Sequence, residues 1–143
     1  MDEWDLPTIG LRRLNSRDIA AFWRGYAERA APGLVRGSLY SRWRPVADDL
    51  VISLYITNRS VGLFVRGQRG ETYATTLRRL SAHEPGLGEA LGAPLRCAIA
   101  CCHLSDYKIT TTDAATWPQA FEWLHAREGE YGRVLRSHIA ASD

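Results

Sequence analysis

The strongest constraint on the fold is the stretch 49–67, DLVISLYITNRSVGLFVRG, in which two β-forming runs flank a short polar turn. Within 50–56, leucine and isoleucine occupy every second position, and alternate residues of 61–65 are again aliphatic. Such alternation places the aliphatic side chains on one face of an extended strand. Because the turn at 58–59 is short and polar, the sequence predicts a β-hairpin with one buried face.

Helical patterns lie on both sides of this hairpin. Asn15 or Ser16 can cap a first helix whose apolar residues recur at i, i+3, i+4 and i+7. The apolar stripe comprises Ile19, Phe22, Trp23, Tyr26 and Ala30. Residues 31–46 hold two prolines and two glycines, and they predict a loop with at most one short strand.

Beyond the hairpin, a second helix is predicted through Tyr73, Leu77 and Leu80 until Pro85 interrupts it, with a short helical turn at 87–91. A terminal helix is predicted to begin near Thr116 or Trp117, since Pro118 suits a first helical turn. Its apolar face comprises Phe121, Leu124, Tyr131, Leu135 and Ile139, with Trp117 and Trp123 near its start. We therefore expect the sheet and this helix to share one core.

The segment 97–104, CAIACCHL, contains all three cysteines of the chain. We predict that 96–112 forms a second hairpin with Ser105 and Asp106 near its turn, because the threonine-rich stretch that follows favours extended structure. In a strand, Cys97 and Cys101 would lie about 13 Å apart, too far to share a zinc ion. The favoured interpretation is a set of buried structural cysteines. A helix over this segment, a reactive thiol and a zinc site stay open as alternatives.

These patterns predict a single α+β domain over residues 1–143. The expected order is α-ββ-α-ββ-α, an antiparallel sheet of two hairpins with helices packed on one face. Hydrophobic residues make up 45% of the chain and charged residues 24%, as in ordinary globular proteins. No apolar run reaches the ~18 residues of a membrane span. We expect a cytoplasmic protein without disulfides, cofactor or resident metal.

Charge is unevenly distributed along the chain. Residues 36–79 carry eight arginines against three acidic residues, although the formal net charge of the whole chain is only +2. Such a segment can neutralise the phosphates of a nucleic acid. The predicted binding residues are Arg42, Arg44, Arg59, Arg66, Gly67, Arg69 and Gly70. The competing interpretation is that these arginines pair with acidic residues, within the chain or across a homodimer contact.

Two short motifs carry possible chemistry. The GxxG loop in VRGQRGE, 65–71, leads into a predicted helix and resembles the backbone-clamping loop of KH domains, except that a strand precedes it. Asp106 and Lys108 match the carboxylate-x-lysine half of restriction-type nuclease sites, which also need a second carboxylate to hold Mg²⁺. Glu84 and Glu89 are the nearby candidates. No catalytic residue is assigned, and whether the chain is an enzyme stays open, with a non-enzymatic role favoured.

A family resemblance rests on YKITTTD, WPQAFEWLH and YGRVL in the last third of the chain, together with LVISLYI in the first hairpin. These motifs resemble bacterial domain-of-unknown-function family 4268 over most of the chain from Phe22 onward. The resemblance implies an association with nucleic-acid metabolism, because members occur attached to restriction-type nucleases. The expected function is a non-catalytic binding or assembly module that contacts nucleic acid, another phosphate-bearing partner or a protein. The alternative is a metal-dependent, nuclease-like hydrolase using Asp106 and Lys108.

Overall fold

The computed structural model describes residues 13–97 and 99–140. The α-helices are α1 (Ser16–Ala27), α2 (Tyr73–Ser81), α3 (Gly86–Leu91) and α4 (Trp117–Ala140). The strands are β1 (Val35–Arg36), β2 (Ser41–Pro45), β3 (Leu50–Ile56), β4 (Ser60–Gly67) and β5 (Cys102–Lys108). The chain is thus α+β, and its order in the described part is α-ββββ-αα-β-α. None of the described helices is both long and apolar enough to cross a membrane.

The five strands form one sheet in the order β1-β2-β3-β4-β5, with every neighbouring pair antiparallel. The predicted hairpin is its centre, since β3 and β4 pair along their full length and both are buried throughout. The loop predicted for 31–46 instead contains two strands. Pro45 lies at the end of β2 and Gly37 lies in the turn between β1 and β2. Neither residue therefore interrupts the backbone hydrogen bonds between the two strands.

The prediction of a second hairpin over 96–112 is wrong. Within the described residues, β5 is one strand that pairs with β4 alone, and Ser105 and Asp106 lie within it rather than at a turn. Their side chains have partners: the Ser105 hydroxyl lies 2.6 Å from that of Tyr131, and the Tyr55 hydroxyl donates to Asp106 at 3.0 Å. These contacts let two turn-forming residues occupy the middle of a strand.

One face of the sheet carries the main core. Alternate residues of β3 and β4 pack there against buried side chains from all four helices. Asn15, one of the two residues predicted as the cap, caps α1: its carboxamide oxygen accepts from the Asp18 backbone amide at 2.8 Å. Phe121 of α4 joins the aromatic cluster on α1, with its ring centroid 4.9 Å from that of Phe22. The predicted sharing of a core between sheet and terminal helix is confirmed.

The opposite face of the sheet has a smaller core. Tyr55, Phe64 and Cys101 are buried there, and the segment that precedes β5 packs against them. Gly62 makes room for this layer, because a Cβ at Gly62 would lie 2.6 Å from the Ser105 carbonyl oxygen and would also overlap the Tyr55 side chain. Both faces of the central strands are therefore covered.

Candidate functional site

The hairpin of β3 and β4 separates the predicted binding residues along its length. Arg59 lies in its turn, whereas Arg66 and Gly67 lie at the opposite end of β4. Seven residues of extended chain at ~3.3 Å each put about 23 Å between the two ends. Arg69 and Gly70 follow directly after β4. The structure therefore does not bring Arg59 together with the glycine-flanked loop.

The two faces of the sheet separate the predicted residues further. Arg44 is in register with Ile52 and Val65, and Arg42 with Leu54, which places both arginines on the face covered by helices. Arg66 belongs to the alternate set of β4 residues and so points to the opposite face. The seven predicted residues do not form one patch.

Arg44 belongs to a buried trio with Tyr26 of α1 and Glu128 of α4. Its Nε donates to Glu128, and its Nη1 and Nη2 donate to the carbonyls of Pro32 at 2.7 Å and Ala31 at 2.8 Å. The Tyr26 hydroxyl donates to the same carboxylate at 2.5 Å. Burial, and then the adjacent Glu128 charge, raise the pKa of Tyr26. This arginine therefore holds two helices to the sheet.

Arg66 and Arg69 both stack on Trp43. Their guanidinium carbons lie 4.5 Å and 4.6 Å from the indole centroid, a distance at which the ring attracts cations. Arg69 also donates to the Gly37 carbonyl at 3.0 Å. These contacts hold the loop after β4 against the turn between β1 and β2. Arg66 and Arg69, which were predicted to bind a ligand, therefore also stabilise the fold.

The helix start after the GxxG loop already holds an anion from the chain itself. Glu71 accepts from the Thr76 hydroxyl at 2.5 Å and pairs with Arg79 at 2.7 Å. A Cβ at Gly67 would lie 2.7 Å from the Thr76 hydroxyl, so the glycine allows this close approach. A KH-like loop would offer its N–H groups to a phosphate. Here the Glu71 carboxylate lies at that position, and its negative charge disfavours a phosphate.

One cationic site emerges that residue patterns did not identify. Arg36 of β1 lies directly opposite Arg42 of β2 in the register. The pKa of Arg42 is lowered, first by partial burial and then by the charge of Arg36. Arg69 reaches this edge from the opposite face of the sheet, where it stacks on Trp43, and it donates to the backbone carbonyls of Arg36 and Gly37 at 3.5 Å and 3.0 Å. We call Arg36, Arg42 and Arg69 the arginine edge.

No carboxylate in the described ranges balances the charge of the arginine edge. No ion pair joins Arg36, Arg42 or Arg69 to a carboxylate of the described residues. Arg42 is instead held by backbone carbonyls, its Nη1 donating to Ser38 at 3.0 Å and Ser41 at 2.9 Å, and it stacks over Trp23. Arg36 was missed because only the strand pairing brings it opposite Arg42, and the sequence predicted a loop there.

The residues of the alternative hydrolase site do lie together. Lys108 Nζ is 3.5 Å from Asp106 Oδ1, and the lysine side chain is 84% exposed. The other carboxylate oxygen of Asp106 accepts from Tyr55. Glu84 contacts His103 instead, and the described residues contain no group of three or more His, Cys, Asp or Glu side chains able to hold a metal ion.

Two of the three cysteines, Cys101 and Cys102, are core residues, whereas Cys97 is half-buried. Cys101 and Cys102 are fully buried, and burial raises the pKa of Cys102 to about 12, which disfavours the reactive thiolate. The extended spacing assumed for Cys97 and Cys101 is wrong, since the Cys97 thiol lies 3.0 Å from the Cys101 carbonyl oxygen. Residues 97 and 99–101 are neither strand nor helix, because the chain turns back on itself before β5.

His103 is a fully buried histidine at the start of β5. Its Nδ1 lies 2.9 Å from the Ala93 carbonyl oxygen, and its Nε2 lies 3.4 Å from Glu84 Oε1 without a hydrogen bond. Burial lowers the pKa of His103 below its ordinary value of 6.5, outweighing the opposite effects of Ala93 and Glu84. The imidazole is therefore neutral at pH 7, despite the nearby carboxylate.

We expect His103 to make stability fall with acidity. Because its pKa is lower in the folded than in the unfolded chain, the unfolded chain binds more protons below pH 6.5. The free energy of unfolding should therefore decrease as the pH falls from 7 to 5, and less so in His103→Asn, whose asparagine tolerates the left-handed backbone at this position. Urea unfolding at each pH measures this, with the exposed His125→Asn as control. Equal pH profiles for wild type and His103→Asn would contradict the assignment.

Comparison with known proteins adds no relative. No protein-family model, curated protein or solved structure matches this chain. The resemblance to domain-of-unknown-function family 4268 therefore stays a prediction.

Proposed function

We propose that this chain is a non-catalytic binding module whose arginine edge contacts the phosphates of a nucleic acid. The observation that carries the proposal is the cross-strand pair of Arg36 and Arg42. Like charges directly opposite each other destabilise a pair of strands. A phosphate between them would remove that repulsion and accept charge-assisted hydrogen bonds from both guanidinium groups.

The surroundings of the pair support this proposal. Arg36 and Arg69 are exposed, and Tyr40, which is 44% exposed, lies in the loop between β1 and β2. An exposed aromatic ring in the loop that joins these two strands suits stacking on an unpaired base. Arg44 does not contribute, because its charge is already paired with Glu128. The proposal thus retains Arg42 and Arg69 from the predicted site and adds Arg36.

Titration of labelled single- and double-stranded oligonucleotides by fluorescence anisotropy tests the proposal. For contacts with a few phosphates we expect dissociation constants on the order of 10⁻⁴ to 10⁻⁶ M at physiological salt. Arg36→Ala should weaken binding and reduce the slope of log affinity against log salt by about one. Arg59→Ala is the matched control, because Arg59 is also exposed but lies in the turn between β3 and β4.

Two results would overturn the proposal. One is the absence of binding at ~50 mM salt, where the electrostatic contribution is large. The other is an equal loss in Arg36→Ala and Arg59→Ala, since this would mean that net charge rather than the arginine edge attracts the oligonucleotide. Concentration-dependent self-association without oligonucleotide binding would favour the homodimer interpretation instead.

A further inference from the structure

A second feature lies away from the arginine edge, between α4 and the loop that follows α1. It is an open cavity of about 300 Å³, which we call the α4 cavity. Ala31 and Pro32 line one side and α4 lines the other. This volume is at the lower end of the range for small-molecule sites.

The α4 cavity owes its space to two glycines within a helix. Gly129 and Gly132 line it, although each glycine disfavours a helix relative to alanine. A Cβ at Gly132 would lie 2.9 Å from Arg136 Nη1, so the guanidinium rests against the bare backbone. At Gly129, a Cβ would meet only Arg133 Nη1, at 3.8 Å. A larger side chain at 129 would thus occupy the cavity without striking the backbone.

The charges around the α4 cavity are predominantly positive. Arg44 and Glu128 line it as the buried ion pair described above, and they offset each other. Arg44 uses three of the five N–H donors of its guanidinium, one from each nitrogen. Arg136 and His125 also line the cavity and are exposed, and neither makes a hydrogen bond or ion pair within the described part of the chain.

We propose that the α4 cavity binds a small oxyanion, a carboxylate or a phosphate monoester. Arg136 supplies the positive charge, and the two remaining N–H donors of Arg44 supply hydrogen bonds from fixed positions. Gly129 and Gly132 provide the space for the ligand. Arginine suits this role because its planar guanidinium pairs with both kinds of oxyanion through two hydrogen bonds. The proposal uses no residue of the arginine edge, so it stands or falls independently of nucleic-acid binding.

The test is a titration of the full chain with inorganic phosphate and, separately, with succinate, followed by amide chemical shifts in NMR at constant ionic strength. We expect saturable shifts at Gly129 and Gly132 with a dissociation constant on the order of 1 mM, typical of a small ligand with few contacts. Saturation by phosphate alone identifies a phosphate ester as the ligand class, and saturation by succinate alone identifies a carboxylate.

Two variants separate this site from general charge attraction. Arg136→Gln should weaken binding about tenfold through loss of a charged hydrogen bond, and Gly129→Leu should abolish it by filling the space while leaving every charge in place. Arg24→Gln removes an exposed charge on α1 and should leave binding unchanged. If neither anion gives saturable shifts, or if binding survives both Arg136→Gln and Gly129→Leu, the α4 cavity is not an oxyanion site.

Discussion

Glu128→Ala is expected to lower the free energy of unfolding by about 3–5 kcal/mol, because it leaves the Arg44 charge buried without its counterion. The side chains of Arg44 and Glu128 are only 10% and 9% exposed. The substitution also deprives the Tyr26 hydroxyl of its acceptor. Chemical denaturation monitored by tryptophan fluorescence measures the loss, which is a large fraction of the stability of a typical domain.

A double variant separates the effect of the unpaired buried charge from that of the lost hydrogen bond to Tyr26. In Arg44→Met with Glu128→Leu, both charges are replaced by apolar groups of similar size, and such replacements of buried pairs are often neutral or stabilising. The double variant should therefore be more stable than Glu128→Ala. If it is equally destabilised, the loss in Glu128→Ala reflects the missing acceptor of the Tyr26 hydroxyl, which both variants share, rather than an unpaired charge.

Phe121→Ala is expected to cost about 3–5 kcal/mol and to leave little folded protein at 37 °C. The ring is only 4% exposed and packs against Phe22 and Tyr26, with Arg29 stacked on its outer side. Removing it would leave a cavity between α1 and α4. Thermal unfolding followed by circular dichroism provides the measurement.

The neighbouring exposed residue supplies the control for this prediction. Glu122→Ala should change stability by no more than about 0.5 kcal/mol, as for most surface substitutions. An unchanged melting temperature in Phe121→Ala would mean that this face of α4 is a surface and that the aromatic cluster does not hold the two helices together.

Local patterns were sufficient for much of this fold. The alternation in 50–56 and 61–65 identified β3 and β4, because burial of one face imposes a period of two on the sequence. The helical stripe from Ile19 identified α1, and the apolar positions of the terminal helix identified α4. In each case the helix or strand buries one apolar face, and the spacing of apolar residues within that segment is enough to indicate it.

The features that were missed depend on partners far along the chain. Ser105 resembled a turn residue because nothing nearby signals that Tyr131 of α4 will contact its hydroxyl. Arg44 was assigned to a binding patch because its partner Glu128 is 84 residues away. The opposition of Arg36 and Arg42 exists only in the register of two strands that the sequence predicted as a loop. Site geometry here depends on tertiary pairing, which periodicity does not encode.

The buried trio also bears on when this chain can finish folding. Tyr26 and Glu128 are separated by 102 positions, whereas strands β1 to β4 follow one another directly and pair as neighbours. Contacts this distant in sequence form late, after local hairpins have reduced the search. During synthesis, Tyr26 and Arg44 leave the ribosome long before Glu128. Arg44 therefore has no Glu128 partner until α4 has been made. We therefore expect the sheet to gain its full set of contacts only after α4 has left the ribosome.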